Sequence, residues 1–188
     1  MNEIHKRIAD AKEVLNLEAS ALQNLSDTLD ASFSEAVNYI VQCKGRVVFT
    51  GMGKSAIIAS KISASFNSTG TPSLFMHAAD AIHGDLGMVQ ASDVVVCLSK
   101  SGNTEEVKTL IPLIKERGNV LIGISAEKNS YLGQHANVLL VTPMDREACP
   151  HNLAPTTSTT LQLALGDALM VAVLNEKDFT EADFARYH

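Results

Sequence analysis

The residues able to do chemistry gather in short polar stretches, each directly after an apolar run. In Thr50-Gly51-Met52-Gly53-Lys54-Ser55, two glycines precede a lysine and a serine that open a helical period. Unpaired N–H groups at a helix start attract anions, which makes Gly53 and Ser55 candidate anion contacts. A second stretch, Leu98-Ser99-Lys100-Ser101-Gly102-Asn103-Thr104, runs into a helix beginning Glu105-Glu106. The hydroxyls of Ser99, Ser101 and Thr104, the loop N–H groups and the flexible Gly102 can wrap the three oxygens of a terminal phosphate. An ordinary Ser/Thr helix cap explains one such turn. Two of them at adjacent strand ends point to a phosphate site.

Competing chemistries fit less well. A nucleotide-binding Walker loop would need glycine where Val48 stands. A dinucleotide fingerprint fits Gly51, Gly53 and Ala56 loosely, but no acidic residue follows the next apolar run before Asp80. The stretch His77 to Gly87 holds two histidines and two aspartates, His77, Asp80, His83 and Asp85. His77 and His83 are six apart, unlike a metal-binding pair on one helix face, so acid–base histidines oriented by carboxylates are preferred to a metal site. Of the two histidines, His77 is the one that reads more readily as a strand-end packing residue. Cys149 and His151 flank a proline and lack further ligands nearby. Glu147 stands in a loop, where a charge is as readily a solvated group as a catalytic one.

The elements that position these stretches are legible in the apolar pattern. Runs at Val47–Thr50, Ser73–Met76, Val94–Ser99, Val120–Ser125 and Val138–Val141 are short and apolar, and all but Ser73–Met76 are rich in β-branched residues. Separated by helical periods at Lys54–Ser68 and Glu105–Arg117 and a short turn at Tyr131, with Thr159–Asn175 closing the core, they predict parallel strands buried on both faces. The expectation is an α/β fold, a doubly wound three-layer α-β-α sandwich around a roughly five-stranded parallel sheet of flavodoxin-like type. Its ligand crevice would lie at the carboxyl ends of the strands. Ahead of the first strand, residues 1–43 read as a helical segment. Ile4, Ile8, Ala11, Leu15, Leu22, Leu25 and Leu29 form a heptad-like seam, which serves equally for packing on the chain's own core or for dimerisation.

Composition bounds the rest. The chain has 188 residues, of which 46% are hydrophobic and 19% charged, enough for one core and one domain, 1–188. A formal charge of −6 and a pI near 5.4 exclude a basic footprint for nucleic acid or an anionic membrane, so an anionic substrate needs a local positive site. Three scattered cysteines read as reduced thiols of a cytoplasmic protein. Neither a signal peptide nor a membrane span is expected.

Taken together, GMGKS (51–55), FNSTGTPSLFMHAADAIHGDLGM (66–88), LSKSGNTEEV (98–107), EACPHNLAPTTSTTLQLALGDALMVAVL (147–174) and FTEADFARYH (179–188) resemble the sugar isomerase, or SIS, domain. The resemblance is closer still to the D-arabinose 5-phosphate isomerases. It implies interconversion of D-ribulose 5-phosphate and D-arabinose 5-phosphate, an early step toward the octulosonate sugar of bacterial lipopolysaccharide. It further implies homotetramers whose active sites draw on more than one subunit, and no cofactor. By the same resemblance Ser55, Ser99, Ser101 and Thr104 hold phosphate, Lys54, Glu106, Glu147 and His188 occupy catalytic positions, and His83 is a further active-site histidine. The pattern departs from the family at Lys100 and Asn103, where relatives more often carry Asn or Gln and Glu. Relatives often continue into paired CBS domains, and this chain is expected to be the form without them.

Isomerisation of this kind removes a weakly acidic proton beside a carbonyl and returns it to the neighbouring carbon through a cis-enediol. Glu147 is the first candidate for the base and Glu106 the second, with the base's pKa expected to rise toward neutrality through partial desolvation. Lys54 would offset charge on the enediolate, and His188 or His83 would shuttle protons among the oxygens. Two alternatives share the scaffold: an isomerase of another phosphosugar, and a non-catalytic sensor of sugar phosphates.

Overall fold

The structure, a computed structural model, describes residues 3–186. Its elements are α1 (Glu3–Asp27), α2 (Ala31–Gln42), β1 (Val47–Gly51), α3 (Lys54–Ser68), β2 (Ser73–His77), α4 (Ala78–Ala81), a 3-10 turn (Asp85–Met88), β3 (Val94–Leu98), α5 (Glu105–Glu116), β4 (Val120–Ser125), α6 (Tyr131–His135), β5 (Val138–Val141), α7 (Thr157–Glu176) and α8 (Glu181–Phe184).

The five strands of the sheet are parallel, in the order β2-β1-β3-β4-β5. Side chains alternate across a strand, so each apolar run feeds two cores at once. Val47 and Phe49 of β1, Val94, Val96 and Leu98 of β3, and Ile122 and Ile124 of β4 meet helices α1, α2, α3 and α7 through Leu25, Ile40, Phe66 and Leu165. Val48, Val95, Cys97 and Leu121 point the other way, into Val107, Leu110, Ile111 and Ile114 of α5 and Leu132 of α6. The result is the expected three-layer sandwich.

The strand order also fixes where the site must be. From β1 the chain passes through α3 to β2 on one side, then returns past β1 to β3 on the other. Right-handed crossovers running in opposite directions put their helices on opposite faces, and the loops leaving β1 and β3 diverge to leave a crevice between them. Gly51 and Leu98 are register partners there. A side chain at position 51 would come within 2.9 Å of the Leu98 carbonyl, which is why the end of β1 requires glycine.

Three short elements differ from expectation. Residues 78–81 and 85–88 make single turns between β2 and β3, too short to show a period. Helix α8 rests on a reciprocal capping box, in which the Thr180 hydroxyl accepts from the Asp183 N–H and the Asp183 carboxylate accepts from the Thr180 N–H. Helix α7 begins at Thr157, two residues earlier than the apolar period suggests. At the N-terminus the seam of α1 divides: Leu25 is buried, with Ala21 and Leu22 against the core, while Ile4 and Leu15 remain 61% and 66% exposed.

Candidate functional site

Two helices open at the crevice, and neither is closed by its own cap. Gly53 precedes α3 with φ of +58°, a conformation that favours glycine, and offers no side chain. Lys54 and Ser55 are the first two residues of α3, with Lys54 exposed and Ser55 half-buried. Thr104 precedes α5 but its hydroxyl makes no cap, and Thr104 Oγ1 is buried without a hydrogen-bond partner. Glu106, the second residue of α5, is half-buried. An unpaired buried hydroxyl costs about 1–3 kcal/mol unless water or a ligand meets it. The ordinary-cap explanation for this loop therefore fails at Thr104.

The loop between β3 and α5 is held in shape by its own residues. The Ser99 hydroxyl accepts from the Gly102 N–H at 3.1 Å, and Ser101 Oγ accepts from the Asn103 N–H at 3.3 Å. Gly102 sits at φ +61°, where an added Cβ would lie 2.2 Å from Ser130 Oγ, so no other residue fits. Asn103 ties the loop to α6 by accepting from the Tyr131 N–H at 2.9 Å. Ser99 is thus buried and spent partly on the turn, whereas Ser101 is exposed.

Glu147 arrives from the long connection after β5. Its side chain is buried, and its Oε2 accepts from the Thr156 N–H at 2.9 Å, the Ser158 N–H at 3.1 Å and Thr156 Oγ1 at 3.3 Å. The carboxylate therefore caps α7, favoured by the positive end of that helix. The loop around it is pinned as well: the Glu147 N–H donates to Asn152 Oδ1 at 2.7 Å, and the Ala148 N–H to Thr156 Oγ1 at 2.8 Å. On the other oxygen, Lys100 Nζ stands 3.0 Å from Oε1 and carries Glu147 to the β3 loop. Burial alone would push this carboxyl up. The Ser158 side chain, the Thr156 and Ser158 N–H groups and the Lys100 ammonium outweigh it and hold the group at about 2. That direction is opposite to the rise expected from desolvation.

The structure thus gathers Gly53, Lys54 and Ser55 beside Ser99, Ser101, Gly102, Thr104 and Glu106 at neighbouring strand ends, and links Glu147 to them through Lys100. His83 is exposed on the turn after α4, and among the described residues its side chain makes no hydrogen bond or ion pair with the rest. His188 lies outside the described residues. His77 is the packing residue of its pair, capping α4 by accepting from the Ala79 N–H at 3.3 Å, with Asp80 4.0 Å away. Cys97 is buried, which pushes its thiol up to about 12. In contrast, Cys149 is lowered by the N–H groups of Ala154, Leu153 and His151 around it. Sequence reasoning missed two members, Lys100 as the partner of Glu147 and the Thr156/Ser158 clamp. Opposite charges on two strand-end loops were the only signal for the first. The hydroxyl run after Pro155 was the signal for the second.

Comparison with known proteins bears on this geometry. A family model described as the SIS domain matches residues 39–172. Arabinose 5-phosphate isomerase KpsF of Escherichia coli O6:H1 is 47% identical over 182 residues, covering 96% of this chain and 56% of that protein. Arabinose 5-phosphate isomerase KdsD of Pseudomonas aeruginosa is 47% identical over 181 residues, covering 96% and 56%. The chain thus spans a little over half the length of these curated relatives. Among solved structures, that of E. coli CFT073 c3406 in complex with arabinose 5-phosphate superposes with a TM-score of 0.95 at 40% identity, over 100% of both chains.

Proposed function

The chain belongs to the SIS domain family, and from that premise we propose that it is an aldose–ketose isomerase interconverting D-ribulose 5-phosphate and D-arabinose 5-phosphate. The observation that carries the proposal is the pair of uncapped helix starts at the β1/β3 crevice, with the unpartnered Thr104 hydroxyl at the start of α5 and an ionised Glu147 linked to the loop before it. An anion-binding shelf beside a buried carboxylate is what proton transfer on a phosphosugar requires. The names of the relatives and the arabinose 5-phosphate bound to a protein 40% identical to this chain support the same reading.

In this mechanism Gly53, Ser55, Ser99, Ser101, Gly102 and Thr104 receive the phosphate. Binding energy from that remote group then orients the reacting carbons. Glu147 takes the proton beside the carbonyl through Oε1, the oxygen not occupied by the α7 clamp. Lys54 offsets charge on the enediolate. His188 or His83 shuttles protons among the sugar oxygens, Glu106 is the second candidate for the base, and the reaction needs no cofactor. The chain functions as one SIS unit over 1–188, in a cytoplasmic homotetramer with shared sites that serves lipopolysaccharide or capsule synthesis. The exposed apolar seam of α1 and the exposure of Lys54 and His83 in the single chain support that assembly.

The test is turnover by the purified chain against five-, six- and seven-carbon sugar phosphates, followed by NMR. Interconversion of ribulose and arabinose 5-phosphates well above all others is the expected result. Preference for a different phosphosugar would reassign the substrate. Binding without any turnover would make the chain a sensor.

A further inference from the structure

We propose that Lys100 is a positioning residue that holds Glu147 Oε1 in an ion pair until an anion in the adjoining loop draws the ammonium away and frees that oxygen. The inference rests on the reading of Glu147 as the base and of residues 99–104 as the phosphate loop.

The two carboxylate oxygens of Glu147 have different company. Oε2 is saturated by Thr156 N–H, Thr156 Oγ1 and Ser158 N–H. Oε1 is buried and has no hydrogen-bond partner; the ammonium of Lys100 at 3.0 Å is what stands against it. Among the described residues no other cation pairs with this carboxylate. Arg146, its chain neighbour, is turned to Glu13 of α1 at 3.1 Å, and Asp145 is exposed. A base oxygen paired with a cation is poorly basic. Relieved of that cation the carboxylate becomes more basic by the Lys100 share alone, since the Ser158 and Thr156 donors, which lower it more, stay in place.

Lys100 is built to let go. Its backbone is fixed against the end of β4, where its carbonyl accepts from the Ala126 N–H and from Ser125 Oγ, both at 3.0 Å. Its side chain, by contrast, is 42% exposed, and among the described residues it grips nothing but Glu147. Only side-chain torsions need change for the ammonium to leave. It sits between Ser99 and Ser101, so a phosphate received by those hydroxyls arrives next to it. A phosphate dianion carries about twice the charge of a carboxylate and at equal distance attracts the ammonium about twice as strongly. The α7 clamp meanwhile keeps Glu147 in place through Oε2. Release therefore changes the basicity of Oε1 without moving the carboxylate.

A competition of this kind leaves a thermodynamic signature that a merely structural ion pair does not. Inorganic phosphate, used as the probe, must take Lys100 from Glu147 in order to bind. Calorimetric titration at neutral pH should therefore find that Glu147→Gln binds phosphate roughly threefold to tenfold more tightly than the wild type, the size of coupling seen between contacting charged groups. Lys100→Met should bind it more weakly, and adding Glu147→Gln to Lys100→Met should bring no further gain. Lys100→Gln repeats the measurement should the methionine variant not fold. The inference is overturned if Glu147→Gln binds phosphate no more tightly than wild type, or tightens it equally without Lys100. Because the cycle reads binding alone, it stands apart from the isomerase assay. A wild-type chain that binds no phosphate would sink the phosphate-loop reading itself, and this inference with it.

Discussion

Helices α3 and α5 start with their first-turn N–H groups uncapped, while α7 starts with a buried carboxylate from its own chain in the same position. The electrostatics at these starts are alike, since each helix presents donors and a partial positive charge to whatever lies ahead of it. At α7 the anion is supplied internally and the site is stable, with a carboxyl held at about 2. At α3 and α5 no side chain of the described residues takes that place, and Thr104 keeps a buried hydroxyl without a partner. On the proposed function the open starts form the binding surface and the filled one supplies the reacting group. Among the described residues, Lys100 is the side chain that links them.

That contrast is sharpened first at Lys54, the residue opening α3. Lys54→Ala should lower kcat by about 100-fold, corresponding to roughly 3 kcal/mol of transition-state stabilisation, with thermal stability unchanged because the side chain is exposed. A turnover within twofold of wild type would remove Lys54 from the mechanism. The second effect lies at the filled start. Glu147 has a folded-state value of about 2 against 4.5 ordinarily, so the native chain binds fewer protons than the unfolded one. Its contribution is complete above about pH 4.5 and falls away as pH drops toward 2. Denaturant unfolding of wild type and Glu147→Gln should differ by on the order of 2 kcal/mol at pH 6 and converge in acid; a pH-independent difference would contradict the capping role. The smallest effect is at the open start of α5. Thr104→Val removes a hydroxyl that nothing in the free chain uses, so stability should hold or rise slightly while phosphate affinity falls about tenfold. Equal losses of both would make Thr104 a structural cap after all.

Much of this was legible in the sequence, for identifiable reasons. The apolar runs from Val47 to Val141 marked the five strands because β1, β3 and β4 are buried on both faces and even the half-buried edge strands β2 and β5 carry few polar residues. Ser99, Ser101, Gly102 and Thr104 stood out because their turn is one of two polar turns after adjacent strands, where a single one reads as an ordinary helix cap. What stayed hidden depended on contacts distant in the chain. The clamp on Glu147 closes from residues nine and eleven positions later, and its partner Lys100 lies on another strand-end loop. Hence the sequence argued for desolvation and a raised carboxyl, where the folded chain supplies enough donors to lower it. The α1 seam was equally ambiguous, since a heptad pattern does not tell packing on the chain's own core from packing on another chain, and only part of it, at Leu25, is buried here.

The most direct test of the account is proton exchange in deuterium oxide. With D-arabinose 5-phosphate and purified chain, NMR should show deuterium entering at C2 in the wild type, slowed about 10²- to 10⁴-fold in Glu147→Gln, the loss that accompanies removal of a positioned base. The variant should still bind the sugar phosphate. Exchange at the wild-type rate in Glu147→Gln, with the chain folded and ligand bound, would contradict the claim that the carboxylate at the filled helix start serves the anion held at the open ones.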